Sequence, residues 1–176
     1  PTYYLIISAV VSFCIYWSVL RARQQNFSHS LTLNIDLLIM ISGFLGARAF
    51  HVFYENFDYY VKYPYGVFYI WQGGFVYYGG AIAAFVATLI YCRINKLEFL
   101  KWTDFYAPIM SLGYGLGRVA CFLNGCCYGR VCDLNGSRYP TQLMAFGLEM
   151  LILIALLSLE KKRFFKAYGQ LFFLWV

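Results

Sequence analysis

Charge is scarce in this sequence. Asp, Glu, Lys and Arg make up 12% of the residues, against 61% apolar ones, where a soluble domain carries about 25% charged residues. The shortage excludes an ordinary soluble globular domain, because one core cannot hide so much apolar surface from water, whereas a bilayer can. Low-complexity tracts and long internal repeats are missing as well, and without a repeat the sequence gives little support to a transporter built from inverted halves. No cleavable signal peptide is read from residues 3–20, an apolar run without a basic start or a small-residue cleavage site.

What is present is long apolar runs and aromatic rings. A membrane span needs roughly 20 mostly apolar residues. Residues 1–20, 31–54, 75–91, 105–121 and 140–159 meet that length within a few residues, and 169–176 begins another run. Residues 65–72 read as an interfacial or re-entrant arm before the third span. Seventeen Tyr and 17 Phe suit spans with wet, aromatic ends. The expected fold is therefore all-α: a polytopic membrane helical bundle in one domain over 1–176, with five full transmembrane helices, the start of a sixth and a periplasmic arm. The chain starts with Pro1 and ends inside an apolar run, so it reads as cut at both ends.

The basic residues set the orientation. Arg21, Arg23, Arg93, Lys96, Lys101, Lys161, Lys162, Arg163 and Lys166 fall on one side of the spans, and Lys62, Arg130 and Arg138 on the other. Short loops rich in Lys and Arg stay in the cytoplasm, which places the loop from Arg130 to Arg138 on the periplasmic side. Setting this topology accounts for most of the net charge of +6, and no nucleic-acid partner is expected.

Ionisable groups at membrane depth are costly, and they usually face the bundle interior and do a job. Arg118 follows Gly113, Gly115 and Gly117, and glycines let a backbone or a lipid head group come close. A guanidinium fixed there can grip a phosphate with two parallel hydrogen bonds; the alternative is a buried ion pair with Asp36 or Glu149. Arg48 and His51, three residues apart, share a helix face, with a structural pair between Arg48 and Asp36 as the alternative. Gly73, Gly74, Gly79 and Gly80 flank the start of the third span and suit either a lipid entry slot or tight helix packing. Cys121, Cys126, Cys127 and Cys132 cluster on the outer side. A Cys126–Cys132 or Cys127–Cys132 disulfide is the first reading there. A metal site is the second, although the spacing is not a zinc pattern and no His lies nearby. Buried free thiols are the third.

Taken in order, these segments resemble the prolipoprotein diacylglyceryl transferases of bacterial membranes. The resemblance is carried by Gly46-Ala47-Arg48, by Trp71 with Gly73-Gly74 and Gly79-Gly80, by Asp104 and Pro108, and by Gly115, Gly117 and Arg118. It continues through Phe122, Asn124 and Gly125, Tyr128-Gly129-Arg130, Pro140-Thr141-Gln142-Leu143 and Gly169-Gln170-Leu171-Phe172. It implies transfer of a diacylglyceryl group from phosphatidylglycerol to the lipobox cysteine of a prolipoprotein, at the periplasmic face of the inner membrane, with no cofactor and no metal. It also implies roles: Arg118 holds the phosphate, Asn124 and Gly125 meet the head group, Arg48 adds positive charge, and Tyr139 and Gln142 line the substrate site together with the two glycine pairs. The family's histidines are replaced by Tyr78 and Tyr139, its asparagine by Cys121 and its acid by Cys126. The base is then Tyr78 or the in-span His51. Two other readings stand beside this one: a relative that has lost catalysis and binds phospholipid or lipoprotein, and a transporter or scaffold sharing the helix arrangement.

Overall fold

The computed structural model describes residues 2–131, 138–162 and 167–176. Among them the regular secondary structure is all helical, with one isolated antiparallel bridge between Val131 and Arg138 and no strand. The helices are α1 (Thr2–Gln24), α2 (His29–Phe50), α3 (Phe57–Lys62), α4 (Tyr77–Ile94), α5 (Phe99–Leu123), α6 (Thr141–Lys161) and α7 (Gln170–Trp175). A π-helical turn, His51–Glu55, extends α2, and two 3₁₀ turns, Pro64–Phe68 and Ile70–Gln72, occupy the expected arm. Cys132, Arg163 and Lys166 lie outside the described residues, and with Cys132 so do both disulfide readings.

Among the described residues, four segments are long and apolar enough to cross a membrane: α1, α2 with its π turn, α4 and α6. The remaining expected span, the fourth in order at 105–121, lies in α5, which is longer at 25 residues, but Lys101, Asp104 and Arg118 and three glycines make it less uniformly apolar. Pro108 lies inside it and has no N–H for the Asp104 carbonyl one turn earlier.

The chain folds as two compact units, Phe27–Phe99 and the combination of Pro1–Asn26 with Leu100–Val176. In the first, α2 and α4 pack backbone to backbone. A Cβ on Gly46 would stand 2.2 Å from the Ala83 Cβ and 2.7 Å from the Gly79 carbonyl oxygen, and one on Gly80 would stand 2.8 Å from the Gly43 oxygen. Small residues permit such an approach, and in lipid, where apolar burial drives little, close packing holds helices together. The Gly79-Gly80 pair therefore has a packing duty whatever else it does.

In the second unit polar side chains tie the helices. Arg21, 5% exposed, donates to both carboxylate oxygens of Glu160 at 2.9 and 3.1 Å, joining α1 to α6. Its guanidinium also lies 5.4 and 5.5 Å from the ring centroids of Trp17 and Phe105. Glu149 accepts from the Ser111 hydroxyl at 2.8 Å and from the Trp175 indole at 3.2 Å, which links α6 to α5 and α7. Asp104 accepts from the backbone N–H groups of Gly169 at 2.6 Å and Phe172 at 3.0 Å, so a side chain of α5 satisfies the open end of α7. Ala107, Leu156 and Leu171 form the apolar centre beneath these contacts.

Candidate functional site

Each unit presents one set of the residues singled out in the sequence. In the unit built on α2 and α4, Arg48 is 7% exposed, and its N–H groups all point at main-chain carbonyls. Nε donates to Val67 at 3.2 Å, Nη1 to Gly73 at 2.5 Å and Gly74 at 3.2 Å, and Nη2 to Gly66 at 2.9 Å and Tyr69 at 3.4 Å. The rings of Tyr60 and Phe75 lie 5.6 and 5.8 Å from it. Carbonyl dipoles thus replace the water the charge has lost, and the arm is folded around the guanidinium. Gly73 and Gly74 make this possible: their φ values of +83° and +80° are open to glycine at no steric cost. A Cβ on Gly74 would also stand 2.4 Å from His51 Nε2 and 2.9 Å from Arg48 Nη1.

His51 sits in the π turn. Its Nδ1 is 2.6 Å from Glu55 Oε2, and its Nε2 is 3.3 Å from the Asn56 side-chain nitrogen. An amide nitrogen donates, so this network assigns the ring proton to Nδ1, facing the carboxylate, and a lone pair to Nε2. Glu55 was legible four residues on from His51 in the sequence, but the pairing was not drawn from it; Asn56 left no signal. Tyr78, in the first turn of α4, is 72% exposed, and its ring makes an edge contact with Tyr77 at 5.8 Å.

In the other unit Arg118 rides near the end of α5, half-buried. Its Nη2 donates to the Tyr114 hydroxyl, and its Cζ stands 4.8 Å from the centroid of that ring. Its Nε is buried without a hydrogen-bond partner. Among the described residues no carboxylate pairs with it; Glu149, one of the two partners the alternative reading offered, is engaged by Ser111 and Trp175. Gly115 packs beneath α6, near Met150 and Glu149, while a Cβ on Gly117 would meet nothing within 4 Å. The helix is therefore closely packed at Gly115 and open at Gly117, one residue before the arginine.

Beyond α5 the chain turns through Gly125 at φ +72° and Cys127 at φ +64°. Asn124 is exposed. Gln142, fully buried, donates to the Cys126 carbonyl at 2.5 Å, and the Thr141 hydroxyl donates to the Cys127 carbonyl at 3.0 Å. Gln142 Oε1 has no partner. The Gly129 N–H donates to the Tyr139 carbonyl at 2.9 Å, and a Cβ on Gly129 would stand 2.6 Å from Thr141 Cγ2. Arg118, Asn124, Gly125, Tyr139 and Gln142 thus belong to one unit, whereas Arg48, His51, Gly73, Gly74, Tyr78, Gly79 and Gly80 belong to the other.

The thiols of Cys121, Cys126 and Cys127 lie within 4.8 Å of one another and could together hold a metal ion. Partial burial pushes the Cys126 thiol up, but hydrogen bonds with Cys127, Asn124 and Cys121 outweigh it and hold that thiol below its ordinary range. The sequence spacing gave no zinc pattern because the three sulfurs meet across a helix end and a left-handed turn.

A family model described as prolipoprotein diacylglyceryl transferase matches residues 1–176. Among the curated relatives that carry the name phosphatidylglycerol–prolipoprotein diacylglyceryl transferase are the following three. That of Pasteurella multocida is 32% identical over 90% of this chain and 64% of its own length. That of Nitrosomonas europaea is 39% identical over 79% of the chain and 55% of its own length. That of Bordetella avium is 32% identical over 88% of the chain and 62% of its own length. The chain thus spans between about half and two thirds of the length of these relatives. With every residue of the chain matched by the family model, the chain belongs to the prolipoprotein diacylglyceryl transferase family.

Proposed function

We propose that the protein transfers a diacylglyceryl group from phosphatidylglycerol to the lipobox cysteine thiol of a prolipoprotein. The reaction forms a carbon–sulfur bond at the glyceryl carbon and breaks that carbon's bond to the phosphate oxygen. The thiol gives up its proton to a base, and glycerol phosphate leaves with the bonding electron pair. Three of the buried or half-buried arginines differ in what surrounds them, and that contrast carries the reading. Arg21 and Arg118 each have a buried Nε without a partner, but Arg21 is neutralised by Glu160 and Arg48 is wrapped in carbonyls, whereas Arg118 has only the neutral Tyr114 hydroxyl. A phosphodiester supplies the negative charge and the acceptor oxygens this guanidinium lacks, and gains more from it as charge develops on the leaving group. Gly117 leaves the space beside it open.

On this reading Asn124, Gly125, Tyr139 and Gln142 line the head-group site, and Arg48 is a positioning residue that shapes the Gly73-Gly74 turn. His51 Nε2 is the group best prepared to take the thiol proton, with Tyr78 as a hydrogen-bonding neighbour of the substrate. The spans number five, α5 among them, and cross the inner membrane with Arg21, Arg23, Arg93, Lys96, Lys101, Lys161 and Lys162 on the cytoplasmic side. The arm of residues 65–72 and the turn after α5 then face the periplasm.

The test is transfer in vitro from phosphatidylglycerol to a lipobox peptide by the full-length protein. Arg118→Ala is expected to lower the rate about 10²–10³-fold, the scale of removing one charge-stabilising donor, with the fold intact. Unchanged transfer by that variant would overturn the assignment of Arg118. No transfer by a folded wild-type protein that binds phosphatidylglycerol would overturn the proposed activity and leave a lipid-binding relative.

A further inference from the structure

We propose that Cys121, Cys126 and Cys127 bind one thiophilic metal ion of the zinc type. The three thiols come from the last turn of α5 and the turn that follows it, and all three sulfurs lie within 4.8 Å of one another. The Cys126 and Cys127 sulfurs are 3.5 Å apart. In a tetrahedral zinc thiolate the metal–sulfur bonds of about 2.3 Å put neighbouring sulfurs roughly 3.8 Å apart. The observed trio is within about 1 Å of that geometry, without any rearrangement of the helix.

The backbone under the thiols is held from both sides. Adjacent cysteines in an extended segment point their side chains in opposite directions. Here Cys127 adopts φ +64°, uncommon for a residue with a Cβ, and both thiols gather on Cys121. The carbonyls of Cys126 and Cys127 are anchored to Gln142 and Thr141 at 2.5 and 3.0 Å, so the first turn of α6 acts as the supporting shell that ordered metal sites require. Cys127 is exposed while Cys121 and Cys126 are half-buried, so an ion arriving from solvent meets Cys127 first. Three sulfurs leave a fourth position to water, and soft thiolates select zinc or copper(I) over magnesium or calcium. Binding expels the thiol protons to solvent, forms three metal–sulfur bonds and requires no oxidant.

The full-length protein, reduced and kept anaerobic in detergent, is titrated with zinc chloride alone. One zinc per chain is expected, read by metal analysis after desalting and by the charge-transfer absorption that cadmium gives in its place. Cys121→Ser, Cys126→Ser and Cys127→Ser should each weaken binding at least tenfold, and Cys14→Ser and Cys92→Ser should not. If a serine variant fails to fold, the wild-type protein answers alone. Zinc should slow iodoacetamide labelling of Cys127 at least tenfold, counted by peptide mass spectrometry, and leave Cys14 labelling unchanged. No zinc retained by the reduced protein would overturn the site. So would equal retention by all the serine variants, or Cys127 labelling indifferent to zinc.

Discussion

Tyr114 and Arg118, one turn apart on α5, act as one unit: the guanidinium lies 4.8 Å from the ring centroid and donates to the ring's hydroxyl. The aromatic face holds the cation by a cation–π contact, while Nε is left without a partner. An arginine presented in this way is held against the ring and keeps its buried Nε–H unused. Tyr114→Phe keeps the face and loses the oxygen; the expected result is a several-fold fall in diacylglyceryl transfer with little change in thermal stability. Arg118→Lys keeps the charge but loses the planar fork, and is expected to lose at least tenfold. Both are read from initial rates with the lipobox peptide.

The glycines separate packing from access. Gly46→Leu drives a side chain into Ala83 and the Gly79 carbonyl, and overpacking of this kind costs about 1–3 kcal/mol or more. The expected outcome is a lower unfolding midpoint in detergent and reduced yield. Gly117→Ala meets nothing within 4 Å, so the midpoint should stay where it is or rise slightly, since Ala favours a helix by up to about 1 kcal/mol over Gly. If the open space beside Arg118 receives the lipid head group, transfer by Gly117→Ala still falls. Equal unfolding midpoints for the two variants would contradict the packing argument.

The helices were readable from the sequence because the bilayer requirement fixes them. The apolar runs at 1–20 and 140–159, the second holding Glu149, became α1 and α6, each continuing past the run into flanking charged residues. The pairing of polar groups was not readable. An ion pair of Arg118 with Asp36 or Glu149 was the alternative to a phosphate-gripping role, yet Glu149 goes to Ser111 and Trp175. Arg21 reads as a topology signal, but it also closes an ion pair with Glu160, 139 residues away. Nothing in local spacing encodes such a contact, which depends on which helix faces pack together. The wrapping of Arg48 by five carbonyls was hidden for a related reason: a main-chain acceptor has no residue type to search for. Gly73 and Gly74 were the only visible trace of it.

Asp104 supplies what α7 lacks at its own start. Gly169 has no side chain to cap the helix, and the carboxylate takes the N–H groups of Gly169 and Phe172 instead. Losing such a cap costs about 0.5–2 kcal/mol. Asp104→Ala is therefore expected to lower the unfolding midpoint and to speed hydrogen exchange at the Phe172 amide. Asp104→Asn retains one acceptor oxygen and should fall between the wild type and Ala.

His51 and Glu55 give the last prediction, which tests positioning apart from charge. The 2.6 Å contact orients the ring so that Nε2 faces away from the carboxylate, where Asn56 meets it at 3.3 Å. His51→Asn removes the proposed base, and loss of a general base costs typically about 10²–10⁴-fold; on that proposal transfer should fall by that order while phosphatidylglycerol binding persists. Glu55→Gln keeps the size and a hydrogen-bonding oxygen, but its amide can also donate, so the ring is free to swap its proton between the two nitrogens. The rate constant for transfer should then drop by about tenfold, a smaller loss than that of the base itself, with KM for the lipid unchanged. A purely structural role for Glu55 would instead lower stability and raise KM together. Full activity in His51→Asn would remove His51 from the chemistry and leave the proton to Tyr78, for which Tyr78→Phe is the matching variant.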